Sequence, residues 1–553
     1  MLFQEVEELL KGYLPYYILI FLPIFIIISP ASPVSATHEF PVHRMQHYDL
    51  HGVPYGSRAA AVNFEARAAT TWTSSRHCVV AKLLDISVEM FRNIRSKAGA
   101  LVLVLPQNIT KLSQDEKQQL LHLEYKMLHE QETPIPVYFV PWNQKIEEVV
   151  DELASIDTSD TKKTAAEALI TTVAANGYQV VITAGNSNPK SDVKIASFHG
   201  HLPGYRPEGK VPTIAIVTHY DSFGVAPDLS FGADSNSSGV IIMLELMRLF
   251  SALYADQKTR GKFNILFVLT GGGKINFQGT KKWLEDQLDS TEISVIQDTA
   301  YVLCLDTLAT ADTIYMHVSK PPKEGTPSSL FFKNLKSAAE RGEEVSVEGV
   351  HKKINLADDI LAWEHERFSI RRLPAFTLSS LKNHKDSWKS TILDTKEVLD
   401  MDQLVKNTKV IADAIGNYVY NFTEGSVFGG NFDVSKDFME AWLEYLSSRP
   451  RSTQLLSSKS NALLTSLQQS FNAHLSDVKV TYSIPDKRDP DYQFYGSTQG
   501  VMNIYSVKPA IFDLVLSIVI ALYLGLVYLA IENFPYFYIY VCGLAAKKKN
   551  KSN

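Results

Sequence analysis

Histidines and aspartates that could bind metal ions stand at or near the ends of strand-like runs. Two imidazoles and two carboxylates would suit a pair of zinc ions, with one carboxylate bridging them. A further aspartate, two residues after the first histidine, would orient that histidine without itself binding the metal. The set, in chain order, is His219, Asp221, Asp234, Asp306 and His365.

Each of these residues also has an ordinary structural explanation. A histidine at a strand end is more often a hydrogen-bonded structural residue than a ligand. Asp234 precedes a helix-like stretch, so it could serve as the N-cap. The order of the residues and their common place at the carboxyl ends of strands favour a site, because open α/β sheets bind ligands there.

In this order the residues resemble the M28 family of zinc aminopeptidases, over roughly residues 160–421. The resemblance rests on His219-x-Asp221, Gly-Ala-Asp234, Asp306 and Glu364-His365-x-x-Phe368. Within that family the whole chain is most similar to the nicastrin-related nicalin group. The motifs that carry this closer match are His38-Glu39-Phe40, Tyr48-Asp49-Leu50, Phe231-Gly232-Ala233-Asp234, Gly271-Gly272-Gly273-Lys274 and His384-Lys385-Asp386.

The chain departs from active M28 enzymes at the acidic pair that the resemblance implies. That family has Gly-Glu-Glu here, the first glutamate as general base and the second as zinc ligand. Aligned on Gly279-Thr280, the two positions are Gly273 and Lys274, and no Asp or Glu occurs from Gln257 to Leu284. Glycine accepts no proton, and a protonated lysine has no lone pair for a metal. Loss of a general base costs about 10²- to 10⁴-fold in rate.

Two structural roles are open for Lys274. Its ammonium group could lie near the vacated metal position and pair with Asp234 or Asp306, replacing the zinc charge. Alternatively, it is a solvent-exposed loop lysine. In both cases the retained histidines and aspartates become vestigial, and we expect no catalytic residue, no metal and no cofactor.

Strands alternate with helices around these residues, which predicts a doubly wound α/β sheet. We expect an M28 peptidase-like mixed sheet flanked by helices over 160–424, after an N-terminal lobe at 37–159. A helical stalk would span 425–508. The predicted strands of the sheet are 179–184, 193–199, 213–218, 263–270, 302–306 and 374–378, with helices at 164–176, 239–253 and 278–288.

Two apolar segments predict a membrane protein. Residues 14–29 followed by Val34-Ser35-Ala36 are typical of a signal peptide at 1–36, although an acidic start leaves a retained anchor possible. Residues 511–531 would span roughly 32 Å as a helix, which matches a bilayer core. We therefore expect a transmembrane helix at 509–533 and a basic cytoplasmic tail at 534–553, giving type I orientation.

Short motifs add a compartment. Lys549 and Lys551 resemble a dilysine retrieval signal of the endoplasmic reticulum, although a basic stop-transfer tail can produce the same pattern. Sequons at Asn108, Asn236 and Asn421 predict lumenal glycosylation. A formal net charge of −6 over 553 residues gives no reason to expect nucleic-acid binding.

The resemblance implies a non-catalytic scaffold of the endoplasmic reticulum membrane. Its implied partners are nodal modulator (NOMO), a large lumenal protein, and a small multispanning membrane subunit. The assembly would be associated with the ribosome-bound translocon and multipass membrane protein biogenesis, and with Nodal signalling. Two alternatives remain: an active secretory zinc aminopeptidase, with Glu364 or Glu366 as base, and a non-cleaving peptide receptor like nicastrin. An open, aromatic-lined cleft would favour the receptor, and a cleft closed by side chains would favour the scaffold.

Overall fold

A computed structural model describes most of the chain. The predicted signal segment, the predicted helix at 164–176 and Lys551 lie outside the described residues. The described ranges are 36–130, 132–158, 177–185, 187–191, 193–289, 296–341, 344–422, 425–457, 461–507 and 510–549.

The described residues form strands β1–β19 and helices α1–α11, and their bounds are as follows. The strands are β1 His38–Arg44, β2 His47–Leu50, β3 Val53–Gly56, β4 Val62–Ala68, β5 His77–Lys82, β6 Ala100–Val104, β7 Val137–Val140, β8 Gly177–Thr183, β9 Pro189–Lys190, β10 Ile195–Leu202, β11 Thr213–His219, β12 Asn264–Thr270, β13 Thr299–Leu305, β14 Thr313–Val318, β15 Ser346–His351, β16 Ala375–Ser379, β17 Ser476–Ser483, β18 Tyr492–Tyr495 and β19 Gln499–Val507. The helices are α1 Val88–Lys97, α2 Gln114–His129, α3 Gln144–Thr158, α4 Ser237–Ala255, α5 Gln278–Asp289, α6 Pro327–Ala339, α7 His365–Ile370, α8 Met401–Tyr420, α9 Lys436–Ser447, α10 Ala462–His474 and α11 Ala510–Lys549.

The N-terminal lobe is a closed barrel with the strand order β1-β19-β8-β4-β5-β6-β7. Strand β6 is buried at every position because it faces two apolar clusters. Its even-numbered residues pack with α3, while Leu101 and Leu103 pack with α1 and α2. The capping box of Ser113 and Glu116 fixes the start of α2.

The second lobe is an eight-stranded mixed sheet with the order β15-β14-β16-β13-β11-β12-β10-β17. Strands β12, β11, β13 and β16 are parallel neighbours at its centre. This confirms the predicted mixed α/β sheet. Helix α4 is apolar enough to cross a membrane but is largely buried, and its side chains pack into the main core of this lobe.

The last three strands before the membrane helix each join a different sheet. Strand β17 extends the eight-stranded sheet, β18 joins a small sheet with β2, β3 and β9, and β19 lies between β1 and β8 in the barrel. The region 425–508 therefore combines helices α9 and α10 with strands that tie the lobes together, and it is not purely a helical stalk.

Helix α11 follows the barrel strand β19 after a short segment. Its stretch Leu514–Tyr536 has the length and hydropathy of a membrane span, and the most apolar part of this stretch is not buried inside the protein. The helix continues without a break through Pro535 to Lys549. It is thus longer than the predicted span at 509–533, and the aromatic residues after that span lie on the same helix.

Candidate functional site

The predicted site residues gather where the central parallel strands end. Strands β11, β12 and β13 run in register, so the loops that follow them lie side by side. His219 is the last residue of β11, Gly273 follows β12, and Asp306 follows β13. The structure therefore brings these residues together at the carboxyl edge of the sheet, as the sequence predicts.

The imidazole of His219 occupies the space beside Gly273. A Cβ atom built on Gly273 would lie 2.1 Å from His219 Cγ and 2.3 Å from Cδ2. His219 is 3% exposed, its ring packs edge-on against Phe277, and its Nδ1 lies 3.4 Å from Glu364 Oε2. Any side chain at residue 273 would require this ring to move.

Asp221 holds the loop after β12. Its carboxylate accepts hydrogen bonds from the backbone N–H of Gly273 (2.8 Å) and Lys274 (3.1 Å), and from Thr453 Oγ1 (2.9 Å). Its described contacts are thus with this loop and with the segment after α9. The carboxylate beside His219 is Glu364, whose Oε1 accepts from Thr280 Oγ1 at 2.6 Å.

Asp234 forms a buried pair with Asp394, a residue that the sequence did not single out. Asp234 Oδ1 accepts from the backbone N–H of Leu308 (3.1 Å) and Ala309 (2.9 Å), and Thr310 Oγ1 donates to Oδ2. The Asp394 carboxylate accepts from the Asp234 backbone N–H at 2.8 Å. Burial, and then the charge of Asp234, raise the pKa of Asp394 to about 7, and burial also raises the pKa of Asp234.

Asp306 pairs with Lys389, which the sequence analysis also missed. Lys389 Nζ lies 2.6 Å from Asp306 Oδ2 and 3.7 Å from the centre of the Trp363 ring. Burial alone would raise the pKa of Asp306, but Lys389, Lys274 and His219 outweigh burial and lower it. The ammonium group is thus held between a carboxylate and an aromatic face, a favourable place for a cation.

Lys274 points into the same site and is not a solvent-exposed loop lysine. Its Nζ donates to Ser235 Oγ at 2.6 Å and to the backbone oxygen of Lys389 at 3.1 Å. Burial lowers the pKa of Lys274 to about 8, opposed by Asp306 and reinforced by Lys389. Its described hydrogen bonds are to neutral oxygens, and the direct ion pair with Asp306 is made by Lys389.

His365 lies between two hydroxyl groups, one on β16 and one directly after the neighbouring strand β14. Its Nδ1 lies 2.9 Å from Thr377 Oγ1, and its Nε2 lies 3.1 Å from Ser319 Oγ. Burial, followed by the nearby His317 and Lys352, lowers the pKa of His365 to about 3. The ring is therefore neutral, and both nitrogens have partners.

The donor set does not fit a dizinc centre. The carboxylate of Asp234 is occupied by protein donors, Asp306 carries an ammonium group at contact distance, and His365 uses both nitrogens. Only His219 Nε2, among these described ring nitrogens, is buried without a polar partner. No group of three or more His, Cys, Asp and Glu side chains in the described part of the chain is placed to hold a metal ion.

A cavity of about 480 Å³ opens above the two lysines, between the lobes. One wall is aromatic: Tyr48 stacks on Tyr55 at 5.3 Å between ring centres and meets Phe223 edge-on. Lys274 and Lys389 also line the cavity. The predicted metal site is thus filled by side chains, whereas the cavity above it is open.

The three sequons differ in exposure. Asn108 and Asn421 are exposed on the surface, consistent with the predicted glycosylation. Asn236 is 0% exposed, and its Nδ2 donates to Thr218 Oγ1 at 2.8 Å and to the His219 backbone oxygen at 3.0 Å. The prediction of a glycan at Asn236 is corrected, because the folded chain has no room for one.

Comparisons with known proteins agree with this geometry. The profile of Peptidase family M28 matches residues 199–415. A human protein, "BOS complex subunit NCLN", is 44% identical over 560 residues, covering 99% of each chain. "Nicalin" of Caenorhabditis elegans is 29% identical over 523 residues and 89% of each chain. This chain belongs to the nicalin family.

A solved structure with a similar fold agrees with the nicalin family assignment. The crystal structure of the gamma-secretase component nicastrin covers 86% of this chain and 100% of its own, with a TM-score of 0.55 and 10% identity. That likeness extends beyond the M28 region, so the two chains share the fold across both lobes. The predicted M28-like, nicastrin-related fold is confirmed.

Proposed function

We propose that this chain is a non-catalytic, membrane-anchored complex subunit. In place of a peptidase active site, its site residues make contacts that stabilise the fold. The observation that carries the proposal is the 2.6 Å ion pair of Lys389 with Asp306, together with the His219 ring packed over Gly273. A dizinc hydrolase needs open metal positions and a general base at this place. Here an ammonium group and an imidazole fill that space.

The proposed setting is the endoplasmic reticulum membrane, with the two lobes in the lumen and the C-terminus cytoplasmic. The apolar helix stretch Leu514–Tyr536 and the exposed sequons at Asn108 and Asn421 support it. The relatives' name, BOS complex subunit, supports membership of a multi-subunit assembly. The proposed partners are a NOMO-like lumenal protein, a small multispanning subunit and the ribosome-associated translocon, in multipass membrane protein biogenesis.

We also propose the division of the chain that follows from this setting. A signal peptide at 1–36 precedes the lumenal lobes at 37–159 and 160–424, and the region 425–508 connects them to a membrane helix at 509–533. The basic residues at 534–553, including Lys549 and Lys551, would provide the cytoplasmic retrieval signal.

Metal content and activity test the non-catalytic part. The full chain, purified in mild detergent, should contain far less than one zinc ion per molecule and release no amino acid from aminopeptidase substrates. The Asp306→Ala variant, which removes the proposed vestigial ligand, should give the same values. About two zinc ions per chain that disappear in the variant, with measurable hydrolysis, would establish the aminopeptidase alternative instead.

Co-purification tests the assembly. Small residues Ser517, Ala521 and Gly525 recur at helical spacing along α11 and could form a face for another membrane subunit. A chain with Ala521→Leu and Gly525→Leu should recover less of a multispanning partner from microsomes. Val519→Leu, on the same helix, serves as the control. Equal recovery of the partner with the unmodified chain, the double variant and the control would show that this face of α11 is not part of the interface.

A second candidate function is non-cleaving peptide reception. The open, partly aromatic cavity of about 480 Å³ favours it, because sites of this size bind small ligands and chain ends. Binding of short peptides to the purified chain, measured by calorimetry, would support this role. If the chain binds no peptide but still assembles with its partners, only the scaffold role is supported.

A further inference from the structure

We infer that the cavity between the lobes is a carboxylate-binding site that accepts the C-terminal end of a peptide with an aromatic or apolar last residue. The inference rests on the second candidate function, peptide reception in this cavity, and adds the chemical class of the peptide end; it does not depend on the scaffold role. It is carried by two features of the described residues: the Lys274 ammonium group, which has a third N–H beyond its two described hydrogen bonds, and the aromatic wall.

The described hydrogen-bond partners of Lys274 are neutral, and the buried carboxylates of Asp306, Asp221 and Asp394 act on its charge without a direct hydrogen bond. Its ammonium group has three N–H donors and uses two, to Ser235 Oγ and to the Lys389 backbone oxygen. Lys389 differs, because its charge is matched by Asp306 at 2.6 Å. Lys274 therefore provides a donor and a charge on the cavity wall, and an entering carboxylate would satisfy both.

The aromatic wall lines the same cavity as Lys274. Tyr48 stacks on Tyr55 at 5.3 Å and lies 6.2 Å from Tyr492, and all three line the space. Rings of this kind supply a large apolar contact area with few rotatable bonds, which suits an aromatic or aliphatic side chain next to the anion. The combination selects for a carboxylate attached to an apolar residue.

The acidic side chains at the mouth keep their negative charges, and none of them is a described hydrogen-bond partner of Lys274. Asp358 accepts from Asn355 Nδ2 at 2.9 Å, and Asp359 lies 3.8 Å from His51 Nε2. Asp386 accepts from the Trp388 backbone N–H at 2.9 Å. Beside Lys274 a peptide amine would be repelled and a carboxylate attracted, whereas the acids at the mouth favour an amine there. The choice of a C-terminal end therefore depends on Lys274.

Matched peptides test the charge requirement on the unmodified protein. The probes are N-acetyl-Ala-Ala-Phe with a free carboxylate, the same peptide as its amide, and N-acetyl-Ala-Glu-Phe amide. Calorimetry on the full detergent-solubilised chain should show about 10- to 100-fold weaker binding of the first amide, because a charge-assisted hydrogen bond is lost. The glutamate peptide distinguishes an acidic side chain from a chain terminus as the source of the carboxylate.

Variants locate the site. Lys274→Met nearly keeps the length of the side chain and removes its charge. It should therefore lower the affinity for the acid peptide to that for the amide and leave the affinity for the amide unchanged. Lys382→Met, at an exposed lysine paired with Glu348 outside the cavity, should bind like the unmodified chain. Equal affinity for acid and amide, tighter binding of the glutamate peptide, or no binding by any probe would each overturn the inference. The acid and amide comparison needs no variant, so a folding defect in Lys274→Met leaves the test intact.

Discussion

The contact between Gly273 and His219 gives the most direct prediction. A methyl group at residue 273 would lie 2.1 to 2.5 Å from three atoms of the His219 side chain, closer than carbon atoms can approach. The ring cannot simply turn away, because it is buried between Phe277 and Glu364. We therefore expect Gly273→Ala to displace the imidazole and to strain the loop held by Asp221.

The expected cost follows from that displacement. Forcing one extra carbon into a packed interior costs about 1–3 kcal/mol. Weakening the buried hydrogen bond between Gly273 N–H and Asp221 adds about 1 kcal/mol. Gly273→Ala should thus lower the free energy of unfolding by about 2–4 kcal/mol, which corresponds to a melting temperature several degrees lower.

A double-mutant cycle identifies the cause. Gly429→Ala is the matched control, since its φ of 176° is extended and no atom lies within 4 Å of the added Cβ. In a His219→Ala background the same Gly273→Ala change should cost less than about 1 kcal/mol, because the ring is gone. Thermal unfolding is measured for the four proteins of the cycle and for the Gly429→Ala control. A Gly273→Ala melting temperature equal to the control, or an equal cost in both backgrounds, would refute the reasoning.

Three further predictions concern charge and glycosylation. Lys389→Met should destabilise the fold by about 3–5 kcal/mol, because it leaves the buried Asp306 carboxylate without its ion-pair partner. Lys385→Met, on the exposed side of the same segment, should not destabilise the fold. Thermal unfolding measures both variants. The pKa of Asp394 is raised to about 7, so its protonation stabilises the folded chain. This contribution is full below about pH 4 and is lost as the pH rises to about 7. The melting temperature of Asp394→Asn should therefore change less between these two pH values than that of the unmodified chain. Glycosidase treatment should shift the gel mobility of the chain, Asn108→Gln should remove part of that shift, and Asn236→Gln should remove none; a shift lost with Asn236→Gln would contradict its burial.

The central sheet and the place of the site could be predicted from the sequence. The buried strands β11, β12 and β13 are largely apolar runs. β11 ends in His219, Asp306 directly follows β13, and a glycine turn leading to Lys274 follows β12. Periodicity and strand-end chemistry are local signals, so they locate His219 and Asp306 without any knowledge of distant contacts.

The contacts made across the site could not be predicted in the same way. Lys389 lies in a polar loop after β16, and nothing in its own neighbourhood indicates that it reaches Asp306. A buried carboxylate without its metal requires some cation, which gives a reason to search for one but does not choose among the lysines. Asp394 is similar, because its role depends on the backbone of a turn about 160 residues earlier in the chain.

The barrel was missed for a related reason. Strand β19 alternates between exposed and buried residues and resembles an ordinary edge strand, yet it fills the gap between β1 and β8. Its partners come from the opposite end of the chain. Hydrophobic pattern predicts that a strand exists, whereas pairing over such a separation is a property of the whole fold.

That pairing sets an order for folding during synthesis. The Ser506 N–H donates to Thr37 Oγ1 across 469 residues, so β1 can pair early with β7 but cannot pair with β19 until nearly the entire chain has been made. At about 5–20 residues per second, the first strand waits roughly 20–90 s with an unpaired edge. An exposed edge is a template for aggregation, so the nascent N-terminal lobe needs protection throughout that interval. Closure of the barrel is then among the last folding steps, because β19 directly precedes the segment that leads into the apolar helix α11.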